Sequence, residues 1–234
     1  MSADRLIVAM DLSDLASAVR LARRLRGLVR VLKVGSILFT ACGPGVIERF
    51  RALGFDVMLD LKWFDIPSTV ELSCRVAARH RVSLLTVHVS GGRAMLLAAV
   101  QGAQAEARRL RAARPLVLGV TVLTSVEEGR SASLRSRVIE QARTALQAGC
   151  DGIVASAREA CALRQRFGSR LRIACPGIRL ADGSHHDQAR VATPRDAVAR
   201  GAEWLIVGRP ITGARDPRAV VRRILCDMEG VARC

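Results

Sequence analysis

The sequence predicts an α/β protein folded as a (β/α)8 TIM barrel, with residues 1–234 forming one domain. Eight short runs are apolar throughout, and most of the segments between them have helical periodicity. Strands that are apolar along their whole length indicate a parallel sheet covered by helices on both faces. Eight such units in 234 residues fit a barrel, which typically takes about 250 residues, better than an open sheet. No linker-like or low-complexity stretch divides the chain.

The predicted strands follow one another at near-regular spacing. They cover residues 6–10, 31–34, 57–61, 84–89, 116–123, 152–155, 171–175 and 204–207. Between them, apolar residues recur three or four positions apart, as at Leu15, Ala18 and Ala22, which is typical of helices that bury one face. The polar stretches at 127–137 and 179–188 are interpreted as a surface loop and as a mobile lid.

The composition limits the classes of partner. The formal net charge of +16 favours polyanions, but aromatic residues are 3% of the chain and tyrosine is absent, so bases would find few side chains to stack on. We therefore predict no specific nucleic-acid partner. The N-terminus lacks a signal-peptide pattern, and no apolar run approaches the roughly 20 residues of a membrane span. The seven cysteines form no C-x-x-C pair and are interpreted as reduced thiols, so we expect a soluble cytoplasmic protein without a membrane partner.

Lysine is rare in this chain, and its two occurrences are informative. Lys33 and Lys62 both interrupt apolar runs, and every other basic residue is arginine. An ammonium group is a compact donor whose pKa shifts with its surroundings, so lysine is expected where a proton must be transferred. Lys62 lies between Asp60 and Asp65, and residues two apart on a strand face the same side, so Asp60 and Lys62 should project together. We interpret this charge cluster as the active site.

The position of other polar residues supports one shared site. Barrel enzymes carry their active residues at the C-terminal ends of the strands and in the loops that follow. Polar side chains end or follow most of the predicted strands, and the set comprises Asp11, Lys33, Asp60, Lys62, His88, Thr121, Thr124, Arg179 and Arg209. We expect the mouth of the barrel to bring them together.

Several motifs resemble one known family. Residues 60–70, DLKWFDIPSTV, resemble the signature of orotidine 5'-phosphate decarboxylases. Further blocks resemble that family in the same order: AMD at 9–11, LKVG at 32–35, VTVLTS at 120–125, CPGIR at 175–179, DQ at 187–188 and VGRPI at 207–211. The family usually has Phe-His where this chain has Trp63 and Phe64, and often Asn where it has Ser68.

The resemblance implies decarboxylation of orotidine 5'-monophosphate to uridine 5'-monophosphate and CO2 in pyrimidine biosynthesis, with no cofactor or metal. Lys62 would donate a proton to C6 of the pyrimidine, Asp60 would lie beside the departing carboxylate, and Lys33 and Asp65 would complete an alternating row of charges. Asp65 would come from the second subunit of a homodimer. The resemblance also implies substrate-binding roles for Asp11, Lys33 and Thr69 at the ribose, with Thr69 from the second subunit, for Thr124 at the pyrimidine, and for Arg179, Gln188, Gly208 and Arg209 at the phosphate.

Two alternatives stay open. A magnesium-dependent sugar-phosphate decarboxylase or aldolase of the same superfamily also uses an Asp-x-Lys-x-x-Asp pattern. A catalytically silent barrel that binds nucleotides or polyanions would account for the basic surface, but it gives no reason for two lysines beside aspartates. His185 and His186 do not by themselves predict a metal site, because adjacent histidines seldom both reach one ion.

Overall fold

The predicted strands form a closed parallel barrel in the computed structural model, which describes residues 2–122, 131–181 and 192–230. Neighbours along the chain are neighbours in the sheet, and β1 pairs in parallel with β8 to close it. The strands are β1 Leu6–Ala9, β2 Val31–Gly35, β3 Asp56–Trp63, β4 Leu84–His88, β5 Leu116–Val120, β6 Gly152–Val154, β7 Arg172–Cys175 and β8 Trp204–Val207. The (β/α)8 prediction is therefore confirmed.

The helices lie on the outside of the barrel, and all but the last two connect consecutive strands. Over the described ranges they are α1 Leu15–Leu25, α2 Ser36–Cys42, α3 Gly45–Ala52, α4 Pro67–Arg79, α5 Gly92–Arg109, α6 Ser131–Gln147, α7 Ala157–Phe167, α8 Pro194–Ala199, α9 Arg209–Thr212 and α10 Pro217–Glu229. Short 3-10 turns cover Ser2–Asp4, Val89–Gly91 and Gly168–Arg170. None of the helices in these parts of the chain is both long and apolar enough to cross a membrane.

Some predicted boundaries were wrong. The strand predicted at 116–123 ends at Val120, and residue 123 lies outside the described residues. The stretch at 127–137 is not a loop throughout, because α6 begins at Ser131; residues 127–130 lie outside the described residues. Most of the predicted lid, residues 182–188, also lies outside them.

The apolar side chains of the strands form an inner and an outer cluster. The inner cluster fills the barrel and includes Ile7, Val31, Met58, Leu84 and Ile206. The outer cluster lies between the strands and the helices. This division follows from strand geometry, since successive side chains point to opposite faces.

One wall of the barrel interior is polar above this apolar layer. Lys33, Asp60 and Thr86 each follow an inner-cluster residue by two positions, on β2, β3 and β4, and all three are buried. On β5 and β6 the inner cluster instead continues with Val120 and Val154. The fold therefore places charge on the β2–β4 wall and leaves the opposite wall apolar.

At the N-terminal end of the barrel, two carboxylates tie neighbouring strands together. Asp151, which precedes β6, accepts hydrogen bonds from the backbone N–H of Val117 on β5 at 2.8 Å and from Arg114. Glu203, which precedes β8, accepts from the backbone N–H of Ile173 on β7 at 2.7 Å and from Arg164. These contacts lie at the opposite end from the predicted site and act on the barrel's stability.

The helices α4 and α5 share a buried carboxylate. Glu106 on α5 is 1% exposed and accepts hydrogen bonds from Arg109 on the same helix at 2.7 Å and from Arg79 on α4 at 3.1 Å. The hydrogen bonds from Arg109 and then from Arg79 outweigh the effect of desolvation and lower the pKa of Glu106 to about 2. Glu106 is thus ionised in the folded protein at pH values where it would be protonated in the unfolded chain.

We expect Glu106→Gln to lose a pH-dependent contribution to stability. The pKa is 4.5 in the unfolded reference and about 2 when folded, so the contribution is present above pH 4.5 and disappears as the pH falls from 4.5 toward 2. Denaturant midpoints of both proteins, measured from pH 7 down to pH 2.5, should differ most at neutral pH and converge in acid. Glu140→Gln, which removes an exposed carboxylate paired with Arg143, is the control and should change the midpoint little. A gap between wild type and Glu106→Gln that stays constant with pH would contradict this account.

Candidate active site

A cavity of about 250 Å³ opens at the C-terminal mouth of the barrel. Its lining comes from residues at the ends of most strands and combines one charged wall with one apolar wall: Ala9, Asp11, Lys33, Asp60, Lys62, Val120, Val122, Val154, Ala155, Pro176, Gly177, Arg179, Ile206, Gly208 and Arg209. Seven of the residues predicted from the sequence are among them. This is the end of the barrel at which such enzymes act.

Four charged side chains form a continuous row in this cavity. Lys33 Nζ lies 3.1 Å from Asp11 Oδ1 and 3.2 Å from Asp60 Oδ2, and Lys62 Nζ lies 2.9 Å from the same Asp60 oxygen. The Lys33 side chain is 8% exposed, whereas that of Lys62 is 36% exposed. Lys62 is thus the ammonium that a molecule in the cavity can contact more freely, while Lys33 holds the two carboxylates apart.

The row keeps its buried members charged. Burial alone would raise the pKa of Asp60, but the ammonium groups of Lys33 and Lys62 outweigh it and lower that pKa below its usual value. Burial alone would lower the pKa of Lys33, but the carboxylates of Asp60 and then Asp11 outweigh it and raise that pKa. Asp60 is therefore an anion and Lys33 a cation at neutral pH, because each is stabilised by the opposite charges beside it.

The contact between Asp60 and Lys62 was predicted, but the backbone reaches it in an unexpected way. Regular alternation along β3 would place the two side chains on one face, yet the pairing of β3 with β4 is irregular between Leu59 and Trp63. Lys62 itself has a φ of 51°, in the left-handed region that non-glycine residues seldom occupy. Its backbone N–H donates to Thr86 Oγ1 at 3.0 Å.

Gly35 makes room for the charge row. A Cβ at this position would lie 2.8 Å from Lys33 Nζ, closer than real Cβ contacts allow, and 3.0 Å from Asp11 Oδ1, which is also tight. Any larger residue would displace the ammonium or the carboxylate. Sequence reasoning included Gly35 only as part of the LKVG block and assigned it no role.

Basic groups lie across the cavity from Asp60, after the seventh and eighth strands. Gly208 and Arg209 follow β8 directly, where Gly208 precedes the short helix α9. Arg179 follows β7 and is buried, with Nη1 donating to the carbonyl of Ile178 at 2.8 Å. The loops after these two strands are a frequent phosphate site in barrels of this kind.

The structure does not bring all the predicted residues into the cavity of one chain. Thr121 and His88, which were expected at the mouth, do not line it. Asp65 is exposed on the turn before α4, where Oδ1 accepts a hydrogen bond from the backbone N–H of Ile66 at 2.7 Å. Thr69, on the first turn of α4, is also exposed and lines an apolar groove beside Leu72 and Val76. The predicted residues Thr124 and Gln188 lie outside the described residues.

Sequence reasoning missed one residue that contacts the charge row. Thr86 is fully buried on β4, and its hydroxyl donates to Asp60 Oδ1 at 2.9 Å. A hydroxyl within the otherwise apolar run of β4 was the available signal. His88 follows on the same face of β4, and its ring makes an edge contact with Phe64. Burial, followed by the charge of Lys62, lowers the pKa of His88, which favours the neutral imidazole.

The chain matches one protein family over most of its length. The model of the orotidine 5'-phosphate decarboxylase / HUMPS family covers residues 4–224. Relatives named orotidine 5'-phosphate decarboxylase include that of Moorella thermoacetica, 41% identical over 97% of this chain and 93% of the relative. That of Halorhodospira halophila is 45% identical over 96% of this chain and 95% of the relative.

Solved structures agree with the sequence relatives. The crystal structure of orotidine 5'-phosphate decarboxylase from Lactobacillus acidophilus superposes with a TM-score of 0.84 at 31% identity, covering 97% of this chain and 99% of that one. An uncharacterized conserved protein from Geobacillus kaustophilus superposes with a TM-score of 0.82 at 32% identity, covering 96% and 100%. With the family model matching residues 4–224, these similarities show that the chain belongs to the orotidine 5'-phosphate decarboxylase / HUMPS family.

Proposed function

We propose that this protein decarboxylates orotidine 5'-monophosphate to uridine 5'-monophosphate and CO2, a step of pyrimidine biosynthesis, without a metal or cofactor. The observation that carries the proposal is the Asp60 carboxylate, which is buried in the cavity and bound by the ammonium groups of both Lys33 and Lys62. The names of the relatives support the same substrate. The family model covers both orotidine 5'-phosphate decarboxylases and the HUMPS group. The choice of the decarboxylase activity therefore rests on the names of the relatives and on the charges in the cavity.

In this proposal Lys62 protonates C6 of the pyrimidine as CO2 leaves. Its ammonium is the more exposed of the two lysines, and Asp60 holds it at the edge of the cavity. A fixed ammonium also stabilises the negative charge that develops on C6, and such preorganised stabilisation is usually a large part of enzymatic rate enhancement. Lys33 is too enclosed for that task, and its proposed role is to keep Asp60 in place and to reach the ribose with Asp11.

Asp60 would lie beside the carboxylate that departs. Two unit charges about 4 Å apart at an effective dielectric of about 20 repel by about 4 kcal/mol, which corresponds to roughly three decades of rate if the strain is fully relieved. That alone is small beside the acceleration such reactions require. Most of the effect must therefore come from Lys62 and from binding energy gained far from the reacting bond.

The other groups would bind the rest of the nucleotide. Arg209 and the backbone at Gly208, with Arg179, would bind the phosphate, because guanidinium groups pair with phosphate through two parallel hydrogen bonds. The apolar wall of Val120, Val154 and Ile206 would lie against the pyrimidine and exclude water. The roles of Thr124 at the pyrimidine and Gln188 at the phosphate rest on the family resemblance alone.

We also propose that the active enzyme is a homodimer in which Asp65 and Thr69 enter the site of the other subunit. Phe64, Ile66 and Leu72 are each more than half exposed around these two residues, and large apolar groups are seldom left in water as a continuous patch. The adjoining groove has a volume of about 450 Å³ and is mostly apolar. A second copy of the chain would cover this surface and add a carboxylate beside Lys62.

The magnesium-dependent alternative predicts a different use of the acidic residues. In this chain Lys33 Nζ contacts both Asp11 and Asp60, so an ammonium lies between the two carboxylates that a divalent cation would otherwise bridge. This arrangement favours a reaction without metal. A silent nucleotide-binding barrel would have no use for the second lysine on Asp60.

The first test is the turnover of orotidine 5'-monophosphate, followed by its absorbance decrease in the presence of a chelator. We expect the wild type to be active and Lys62→Ala to be slower by at least about a thousandfold, because it loses both the proton donor and the charge. Lys62→Arg is the matched control: it keeps the charge but cannot give up a proton, and it should be inactive too. Activity in Lys62→Arg would show that the proton comes from elsewhere. Activity that requires magnesium would favour the sugar-phosphate alternative.

The second test mixes two inactive variants, Lys62→Ala and Asp65→Ala. If Asp65 acts across the interface, each mixed dimer contains one site with both native residues, so an equilibrated equal mixture should regain about one quarter of the wild-type sites. If Asp65 acted within its own chain, every site would lack one residue and the mixture would stay inactive. Subunit exchange, followed by native mass spectrometry of an isotope-labelled partner, shows that mixed dimers have formed.

A further inference from the structure

The Thr86 hydroxyl contacts two parts of the charge row at once. Oγ1 accepts a hydrogen bond from the backbone N–H of Lys62 at 3.0 Å and donates one to Asp60 Oδ1 at 2.9 Å. Thr86 has no exposed surface. No water can therefore replace either partner without rearrangement of the barrel wall.

The first of these bonds holds an unfavourable backbone conformation. Lys62 has a φ of 51°, in the left-handed region that is unfavourable for residues other than glycine. It falls where the pairing of β3 and β4 becomes irregular, between Leu59 and Trp63. At this irregularity the Thr86 hydroxyl accepts the hydrogen bond of the Lys62 N–H. The direction in which the Lys62 side chain leaves the backbone depends on this conformation.

The second bond fixes the rotation of the Asp60 carboxylate. Asp60 Oδ2 accepts from the ammonium of Lys62 at 2.9 Å and lies 3.2 Å from that of Lys33. Oδ1 accepts from Thr86. A carboxylate with both oxygens engaged cannot turn to offer the other oxygen to the lysines. The Lys62 ammonium is therefore held on one side of the carboxylate.

We propose that Thr86 is a positioning residue for the decarboxylation: through one oxygen atom it fixes both the Asp60 carboxylate and the Lys62 backbone, and so directs the Lys62 ammonium into the cavity. This inference rests on the proposed function and deepens it. Thr86 does not line the cavity itself, so it acts through Asp60 and Lys62.

A hydroxyl suits this position for chemical reasons. It is donor and acceptor on a single atom, and it carries no charge that would alter the balance of the row. Valine has nearly the same shape without either capacity, whereas serine keeps both and lacks only a methyl group. The pair Thr86→Val and Thr86→Ser therefore separates the hydrogen bonds from the packing.

The kinetic test compares these two variants with the wild type on orotidine 5'-monophosphate. We expect Thr86→Val to lower kcat by about 10- to 100-fold with KM changed much less, since two hydrogen bonds that align the reacting groups are lost. Thr86→Ser should restore most of kcat. Thr144→Val is the control: it removes a hydroxyl on α6, outside the cavity, which donates to the carbonyl of Glu140 at 3.1 Å, and it should leave kcat unchanged.

The rarity of lysine allows a direct structural readout. Protein labelled with 15N-lysine gives backbone amide signals from Lys33 and Lys62 alone. We expect the Lys62 amide to exchange with solvent at least about tenfold faster in Thr86→Val than in wild type or Thr86→Ser. The Lys33 amide serves as the internal reference and should stay unchanged, which a general loss of folding would not allow.

The outcomes separate this proposal from the function on which it rests. If the wild type does not turn over the nucleotide, the proposed function fails and the Thr86 role fails with it. If the wild type is active and folded Thr86→Val has the same kcat, or Thr86→Ser loses as much as Thr86→Val, the Thr86 role alone is overturned. If Thr86→Val does not fold, Thr86→Ala removes the same hydroxyl, and a wild-type kcat in that variant overturns the role equally.

Discussion

The ion pairs of Asp60 with Lys33 and Lys62 are the interaction on which the rest of the site depends. A carboxylate as enclosed as Asp60 costs several kcal/mol to desolvate, and removal of one partner from such a group typically leaves a charge uncompensated. Two ammonium groups meet on one of its oxygens. Gly35 has no side chain and so leaves space for the Lys33 ammonium. The Lys62 ammonium extends from a residue whose backbone is in the left-handed conformation. The local backbone at Gly35 and Lys62 is therefore part of what allows the ion pairs to form.

The barrel accommodates these buried ion pairs because it places charged and apolar side chains on different walls. The polar layer lies on adjacent strands β2, β3 and β4, and the wall formed by β5, β6 and β8 is apolar where it faces the cavity. Charges that face apolar groups rather than water interact more strongly, since the effective dielectric is lower. The same division gives the cavity a charged side and an apolar side, and in the proposed mechanism the pyrimidine lies against the apolar one.

The strands and the charges of the site were predictable from local sequence, whereas their exact connection was not. Continuous apolar runs located all eight described strands, because a parallel barrel buries both faces of each strand. The scarcity of lysine directed attention to Lys33 and Lys62. The irregular end of β3 and the hydrogen bond from Lys62 to Thr86 were not predicted. Both depend on how β3 pairs with β4, and neither segment shows them in its pattern of apolar and polar residues. The start of α6 at Ser131 was also missed, since its first turn is polar.

Charge balance indicates how an anionic substrate could bind at such a site. Within one chain, Asp11 and Asp60 offset Lys33 and Lys62, so the row offers no net attraction for a further carboxylate. If Asp65 of the second subunit joins the row, as proposed, the net charge of the row becomes negative. Attraction must then come from the phosphate end, where Arg179 and Arg209 line the same cavity. In the proposed mechanism, binding energy gained there holds the reacting carboxylate against Asp60, so that the groups proposed to bind the substrate and those proposed to act on it lie at opposite ends of the cavity.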